Sequence, residues 1–254
     1  LQSICDEHDL ILLEDACQAI GGTYEGKPLG SYGDVGCFSF DYVKTITCGE
    51  GGALITDSGD LYQKAQAYSD HGHDHIGSDR GAEGHPHLGF NYRISELNAA
   101  VGLAQLGRLD DFLAIQKKHY GHLRNAIAGL KGIRFRRVPG SGVENYSFLN
   151  FFLPEESKAR STHKALLEAG FDGVFYWYDN NWHYYRRWEH LTDLKSLSKL
   201  PESLKQQFKS GHAGHFPGSD HWMGRTLSVL IKLGWDHAEL ERRAGILKEV
   251  LSQG

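Results

Sequence analysis

The feature that most constrains this chain lies at residues 10–15, where the apolar run Leu10-Ile11-Leu12-Leu13 stops at two adjacent carboxylates, Glu14 and Asp15. Continuous apolar runs of this length suit a strand covered on both faces, the habit of parallel sheets flanked by helices. Ligands of open α/β sheets bind beyond the carboxyl ends of the strands, so a strand that closes on Glu-Asp points at a site. Two further short strands are expected at Gly36–Phe40 and Ala53–Thr56, with the Gly-rich segment Gly49-Glu50-Gly51-Gly52 between them. A helix is expected over Leu61–Tyr68, and Leu1–His8 reads as the last turns of a helix feeding the first strand.

Further along, Ser95 is a plausible N-cap for a segment in which Leu97, Val101, Ala104, Leu109, Phe112, Leu113, Tyr120, Leu123, Ile127 and Leu130 recur at helical spacing. That pattern predicts one long helix or a kinked pair, closed by Gly129 and Gly132. The periodicity then changes. Strands are expected at Ile133–Val138, Ser147–Leu153 and Val174–Tyr178, with helices at about Thr162–Ala169 and Leu240–Leu251. The expected organisation is therefore an α/β region over 1–132, long helix included, and a smaller α+β domain over 133–254.

Composition narrows the class of function. With 254 residues, 40% of them hydrophobic, the chain can bury a real core. A net charge of -5 argues against capture of nucleic acid, which needs a clustered excess of Lys and Arg. The substrate is expected to be small. Cys5, Cys17, Cys37 and Cys48 form no CxxC pair and suggest neither a zinc knuckle nor a disulfide lattice, which fits a reducing cytoplasm. No apolar run approaches the roughly 20 residues that span a bilayer, and no signal peptide is recognisable.

The chemistry is concentrated in Glu14-Asp15-Ala16-Cys17-Gln18-Ala19, then Phe38-Ser39-Phe40-Asp41-Tyr42-Val43-Lys44, then Gly49-Glu50-Gly51-Gly52. At these residues the chain resembles the sugar aminotransferases of the DegT/DnrJ/EryC1/StrS family. The resemblance implies a fold-type I α/β transferase dependent on pyridoxal 5'-phosphate (PLP), in which 1–132 is the C-terminal part of the large three-layer PLP-binding domain. It implies that Lys44 is the Schiff-base lysine, which is displaced by the amino donor and then shuttles a proton. Asp15 matches the acid that pairs with the pyridinium nitrogen, Gln18 the residue near the 3'-oxygen, and Ser39 the phosphate-binding hydroxyl. Asn91, within Gly89-Phe90-Asn91-Tyr92-Arg93, matches the asparagine that reaches the phosphate of a neighbouring subunit, which implies a homodimer with shared active sites. Related dehydratases carry His at the lysine position, so Lys44 favours transamination.

Two stretches bear on substrate. Asp70-His71-Gly72-His73-Asp74-His75 could be read as metal ligands, but alternate side chains of an extended segment point to opposite sides and no HxxxH arrangement completes a site, so no metal is expected. The family position suits a pocket-lining loop instead, with His71, His75 and Arg80 as substrate contacts. The stretch Phe175–Tyr185 reads either as small-domain core or as substrate wall, with Tyr176 and Trp182 its candidates. Together with Val43–Cys48, Asp70–Gly77 and Asp79–Glu83, the aromatic stretch resembles the 8-amino-3,8-dideoxy-manno-octulosonate aminotransferases. The resemblance implies transfer of the amino group of L-glutamate to the C8 aldehyde of 3,8-dideoxy-8-oxo-manno-octulosonate, for a lipopolysaccharide core sugar. Such an acid sugar calls for a guanidinium, and Arg80, Arg186, Arg187 and Arg225 are the candidates.

Family members also carry a Gly/Ser/Thr phosphate loop and a ring-stacking side chain ahead of the first strand described here. Neither occurs before Asp15, so about the first third of the usual domain is expected to be missing from this sequence, and the fragment alone to be inactive. The alternatives are an aminotransferase for a nucleotide-linked 4-keto-6-deoxy sugar and a non-catalytic fragment of the fold. Intact Lys44 and Asp15 weigh against the second.

Overall fold

The computed structural model describes residues 1–180, 182–207 and 216–253; Asn181, within the aromatic stretch, lies outside them. By packing, the chain divides into two compact units, the first made of 1–114 with 138–145 and the second of 115–137 with 146–254.

The first unit opens with α1 (Gln2–Glu7) and β1 (Leu13–Asp15), followed by the two-stranded ribbon β2 (Thr23–Tyr24) and β3 (Lys27–Pro28). Then come β4 (Val35–Ser39), β5 (Gly52–Ile55), α2 (Gly59–Ser69), α3 (Glu96–Leu106) and the start of α4 (Leu109–Ile127). Its main sheet has the order β1-β4-β5. The β1–β4 pair is parallel, with Asp15 opposite Cys37, whereas β5 runs antiparallel to β4 with Gly52 opposite Ser39. The connection from β4 to β5 holds only turns and bends and no crossover helix, and the second strand comes back antiparallel beside the first.

The expectation of a first strand buried on both faces is not met within this chain: Ile11 is 70% exposed and Leu13 58%. β1 is an edge strand, paired only with β4 among the described residues, and Leu97 and Leu103 of α3 are exposed as well. The long helical pattern resolves into the kinked pair. Ser95 caps α3 by accepting the Asn98 N–H at 3.2 Å, and the chain breaks at Gly107-Arg108 before α4 begins.

The second unit has a four-stranded antiparallel sheet of order β6-β7-β9-β8, formed by β6 (Arg134–Phe135), β7 (Phe148–Phe152), β8 (Val174–Phe175) and β9 (Thr226–Leu230). Helix α5 (Glu156–Glu168) packs on β8 and β9, and α9 (His237–Ser252), capped by Asp236, which accepts the Glu239 N–H at 2.8 Å, packs on α5. Three short helices lie between, α6 (Glu189–Thr192), α7 (Glu202–Gln207) and α8 (Pro217–Met223). Leu149, Phe151, Leu166, Phe171, Leu227, Val229 and Leu247 are fully enclosed. Sequence reading missed β9, although its Leu227–Ile231 is apolar or small throughout. It is a central strand buried on both faces, so it lacks the alternation that marks a half-exposed one. The strand expected over Val174–Tyr178 shortens to two residues, because the backbone coils into a 3₁₀ turn at Trp177–Asp179.

Candidate functional site

Neighbouring strand residues face opposite ways, and this gives Glu14 and Asp15 separate tasks. The Glu14 carboxylate accepts three backbone N–H groups of the following loop, from Gly30 (2.8 Å), Tyr32 (2.5 Å) and Gly33 (2.7 Å). Burial works to raise its pKa, but these bonds and the charge of Lys27 outweigh it and leave the carboxyl below its ordinary value. The loop closes so tightly against β4 that a Cβ at Gly36 would lie 1.8 Å from the Gly30 carbonyl oxygen. Glu14 is thus a structural residue that sequence reading left without a role.

Asp15, on the other face, has its carboxyl held below the ordinary range first by the neighbouring Cys17 side chain, then by the Cys17 N–H (3.1 Å), with the Lys44 charge adding to both. The thiol's own hydrogen bond runs to the Cys37 carbonyl (3.7 Å). The same environment pushes the Cys17 thiol up to about 11, chiefly through burial and then through Asp15. Asp15 therefore carries a stable negative charge beside Lys44.

Lys44 is presented by a turn of fixed backbone. Val43 N–H donates to the Asp41 carboxylate (2.9 Å), Lys44 N–H to the Asp41 carbonyl (3.0 Å), and Cys48 N–H to the Phe40 carbonyl (2.9 Å). Buried Ile46 and Cys48 anchor the turn, and the Asn98 amide of α3 ties its far side through the Glu50 carbonyl (2.9 Å). Among the described residues the Lys44 ammonium has no ion-pair partner. Ser39 lies on the Asp15 face of the sheet, two residues past Cys37, and its hydroxyl accepts the Asp41 N–H at 3.4 Å. Gln18 lies in the turn after β1; it is exposed, and its carbonyl accepts the Asn145 amide at 2.8 Å. The structure thus brings Asp15, Ser39 and Lys44 to one end of one sheet.

The other first-unit candidates gather around a residue that sequence reading considered only as a metal ligand. Asp70, 5% exposed, receives Arg80 (2.5 Å), Arg93 and the His71 ring (3.2 Å), with His75 at 3.6 Å. Burial alone would raise its pKa, but His71, Arg93 and Arg80 together hold it down at about 2. Asn91 is its backbone partner in an isolated antiparallel bridge. Arg80 is accordingly committed to an internal carboxylate. His73 pairs with Glu83 at 2.9 Å, and no three His, Cys, Asp or Glu side chains are grouped to hold a metal among the described residues.

In the second unit, Tyr176 is 5% exposed and its hydroxyl donates to the Gly224 carbonyl at 2.9 Å, which makes its ring part of the core. Arg186 is paired with Asp220 (3.1 Å) and lies over the Tyr178 ring. Trp182, 53% exposed, shares an open concavity of about 420 Å³ with Arg187, Trp188 and His190. Neither Arg187 nor Arg225 has an ion-pair partner among the described residues. No helix of the described residues is long and apolar enough to cross a membrane.

Residues 1–229 match the family described as the DegT/DnrJ/EryC1/StrS aminotransferase family. The chain is 40% identical over 127 residues to a GDP-perosamine synthase of Caulobacter vibrioides, covering 50% of this chain and 33% of that protein. It is 35% identical over 148 residues to the lipopolysaccharide biosynthesis protein RfbH of Salmonella typhimurium, covering 50% of this chain and 34% of the relative. Among solved structures, an aminotransferase from Psychrobacter cryohalolentis superposes with a TM-score of 0.78 at 22% identity, over 99% of this chain and 64% of that one. The matches thus span about a third of these two curated relatives and nearly two thirds of the solved one. The fold is the fold-type I α/β arrangement of PLP-dependent transferases.

Proposed function

Because the chain belongs to the DegT/DnrJ/EryC1/StrS aminotransferase family, whose aminotransferases depend on PLP, we propose that it is the lysine-bearing part of a PLP-dependent sugar aminotransferase. The observation that carries this reading is an Asp15 carboxyl held below its ordinary pKa, partly by the charge of a Lys44 that has no ion-pair partner among the described residues, past the ends of β1 and β4. These residues fit the cofactor. A carboxylate held below its ordinary pKa can keep a pyridinium protonated, and a lysine on a rigid turn without a competing carboxylate contact of its own can reach an aldehyde. Ser39, on the same face, offers its hydroxyl to the phosphate, with Gln18 toward the 3'-oxygen and Asn91 toward the phosphate of a second subunit.

When bound, PLP supplies the electron sink that makes the amino donor's Cα proton removable. Lys44 would then carry that proton between the donor's Cα and the cofactor's C4', and Asp15 would keep the ring nitrogen protonated. The proposed donor is L-glutamate and the acceptor is the C8 aldehyde of 3,8-dideoxy-8-oxo-manno-octulosonate, in a cytoplasmic homodimer. The unpaired guanidiniums of Arg187 and Arg225 support an acid-sugar acceptor, with Trp182 as an exposed ring against which a sugar can pack.

The names of the relatives favour a second reading, a nucleotide-linked 4-keto sugar as acceptor, since several relatives are named GDP-perosamine synthases. Parallel assays of 2-oxoglutarate release from glutamate decide between them. Activity on the octulosonate aldehyde alone is expected, and activity on the nucleotide sugar alone overturns the acceptor. Lys44→Ala is expected to abolish both turnover and the borohydride-fixable cofactor adduct; turnover retained without added amine would remove the aminotransferase reading itself.

A further inference from the structure

Asp70 sits at the C-terminal end of α2, where the chain turns outward into a loop that returns at Phe90–Arg93. The return is stitched to the helix end by backbone bonds, Phe90 N–H to the Tyr68 carbonyl (2.8 Å), His71 N–H to Phe90 (2.9 Å) and Tyr92 N–H to Ser69 (2.9 Å). Alternation then sorts the side chains. The rings of Phe90 and Tyr92 lie together against Tyr68 on one face, and Asn91 and Arg93 fall on the other, with Asp70, the residue opposite Asn91. On that second face the Asp70 carboxylate binds Arg93 from the returning segment, Arg80 from the loop and His71 beside it. His71 and His75 both have positive φ, 57° and 56°, a conformation a side chain other than glycine adopts only when its surroundings impose it.

We infer that Asp70 is a positioning residue for the cofactor site: its carboxylate locks Arg93 and thereby fixes the segment that presents Asn91 to the phosphate. This rests on the role of Asn91 proposed above. Nothing about the loop's sequence requires a buried acid at its base. A carboxylate there has one effect that an apolar residue would lack, namely to fasten both ends of a 20-residue excursion to a single point.

The test is a double-mutant cycle read by PLP affinity, measured by equilibrium dialysis of the full-length protein and not by turnover. Asp70→Asn is expected to weaken PLP about tenfold in the wild-type background and to have no further effect in Asn91→Ala, because the two losses are one loss. Arg93→Gln should reproduce this pattern while leaving Asp70 paired with Arg80, and it serves if Asp70→Asn fails to fold. Independent losses that multiply in the double variant, or unchanged affinity in both Asp70→Asn and Arg93→Gln, overturn the inference and leave Asn91's own role standing. Unchanged affinity in Asn91→Ala removes that role, and the inference with it, without touching the assignment of Lys44.

Discussion

The two units are held together by different means. In the second, the β6-β7-β9-β8 sheet, α5 and α9 enclose a continuous apolar cluster from Tyr120 to Leu251, and the buried Arg243 guanidinium is satisfied by Asp172 and Glu239. In the first, few apolar side chains are enclosed, and carboxylates grip the backbone and the loops: Glu14 binds three amides, Asp41 the lysine turn, and Asp70 two arginines. A bulky core fixes elements against each other, whereas a carboxylate fixes particular atoms of a loop. Chemistry needs the second kind of order, and the residues proposed to hold PLP all lie in the first unit.

The largest effect expected from breaking this comparison is catalytic. Asp15→Asn should lower kcat by on the order of 10²–10³ while PLP still binds, because a neutral amide no longer stabilises charge that develops on the ring in the transition state. Hydrogen exchange in both units should be unchanged. A kcat equal to wild type would show that another group protonates the ring.

Next come two stability changes that ought to stay local. Leu149→Ala, at a fully enclosed position of β7, should cost about 2–5 kcal/mol and speed amide exchange across the second unit's sheet. Glu14→Ala leaves the buried Gly30 N–H and two others without their acceptor and should cost about 2 kcal/mol, with faster exchange confined to residues 28–36. Since the folded pKa of Glu14 lies below its unfolded value, its contribution is complete above roughly pH 4.3 and is lost as pH falls through the folded value. Exchange at Gly30–Gly33 that is unaffected by the substitution, or by acid in the wild-type protein, would end the claim that this carboxylate holds the loop.

The smallest effect concerns Cys17. Its thiol is the leading cause of the lowered Asp15 pKa, so Cys17→Ala should move the Asp15 carboxyl upward toward its ordinary value, with the Cys17 N–H and Lys44 contributions kept. NMR titration of the cofactor-free protein would follow this, and a pKa that stays put or falls would assign the shift to the backbone bond instead.

Residues read singly told less than their spacing did. Asp15 and Lys44 stood out as candidates because a strand-end carboxylate and a lysine before a Gly-rich turn resemble a family motif; the α3–α4 pair and α9 could be read because helical periodicity is a local property. Arg80 shows the limit. As a guanidinium near a His-rich loop it looked available to a substrate carboxylate, and only the folded loop showed that Asp70 already holds it. For Tyr176 the sequence left core and substrate wall open, and its hydroxyl bond to the Gly224 carbonyl inside the second unit favours core.

The sequence by itself determined the family and most of the helices, and it singled out Lys44 and Asp15 as candidates, since all of these are written in short-range patterns of residue type. Tertiary structure decided which of two adjacent carboxylates binds backbone and which faces Lys44, which arginines remain unpaired, and that Thr226–Leu230 forms a central strand of the second sheet. Those outcomes depend on partners 10 to 80 residues away, brought near by strand register and loop closure. No pattern read along the chain encodes that proximity until the sheet has fixed which side each residue faces.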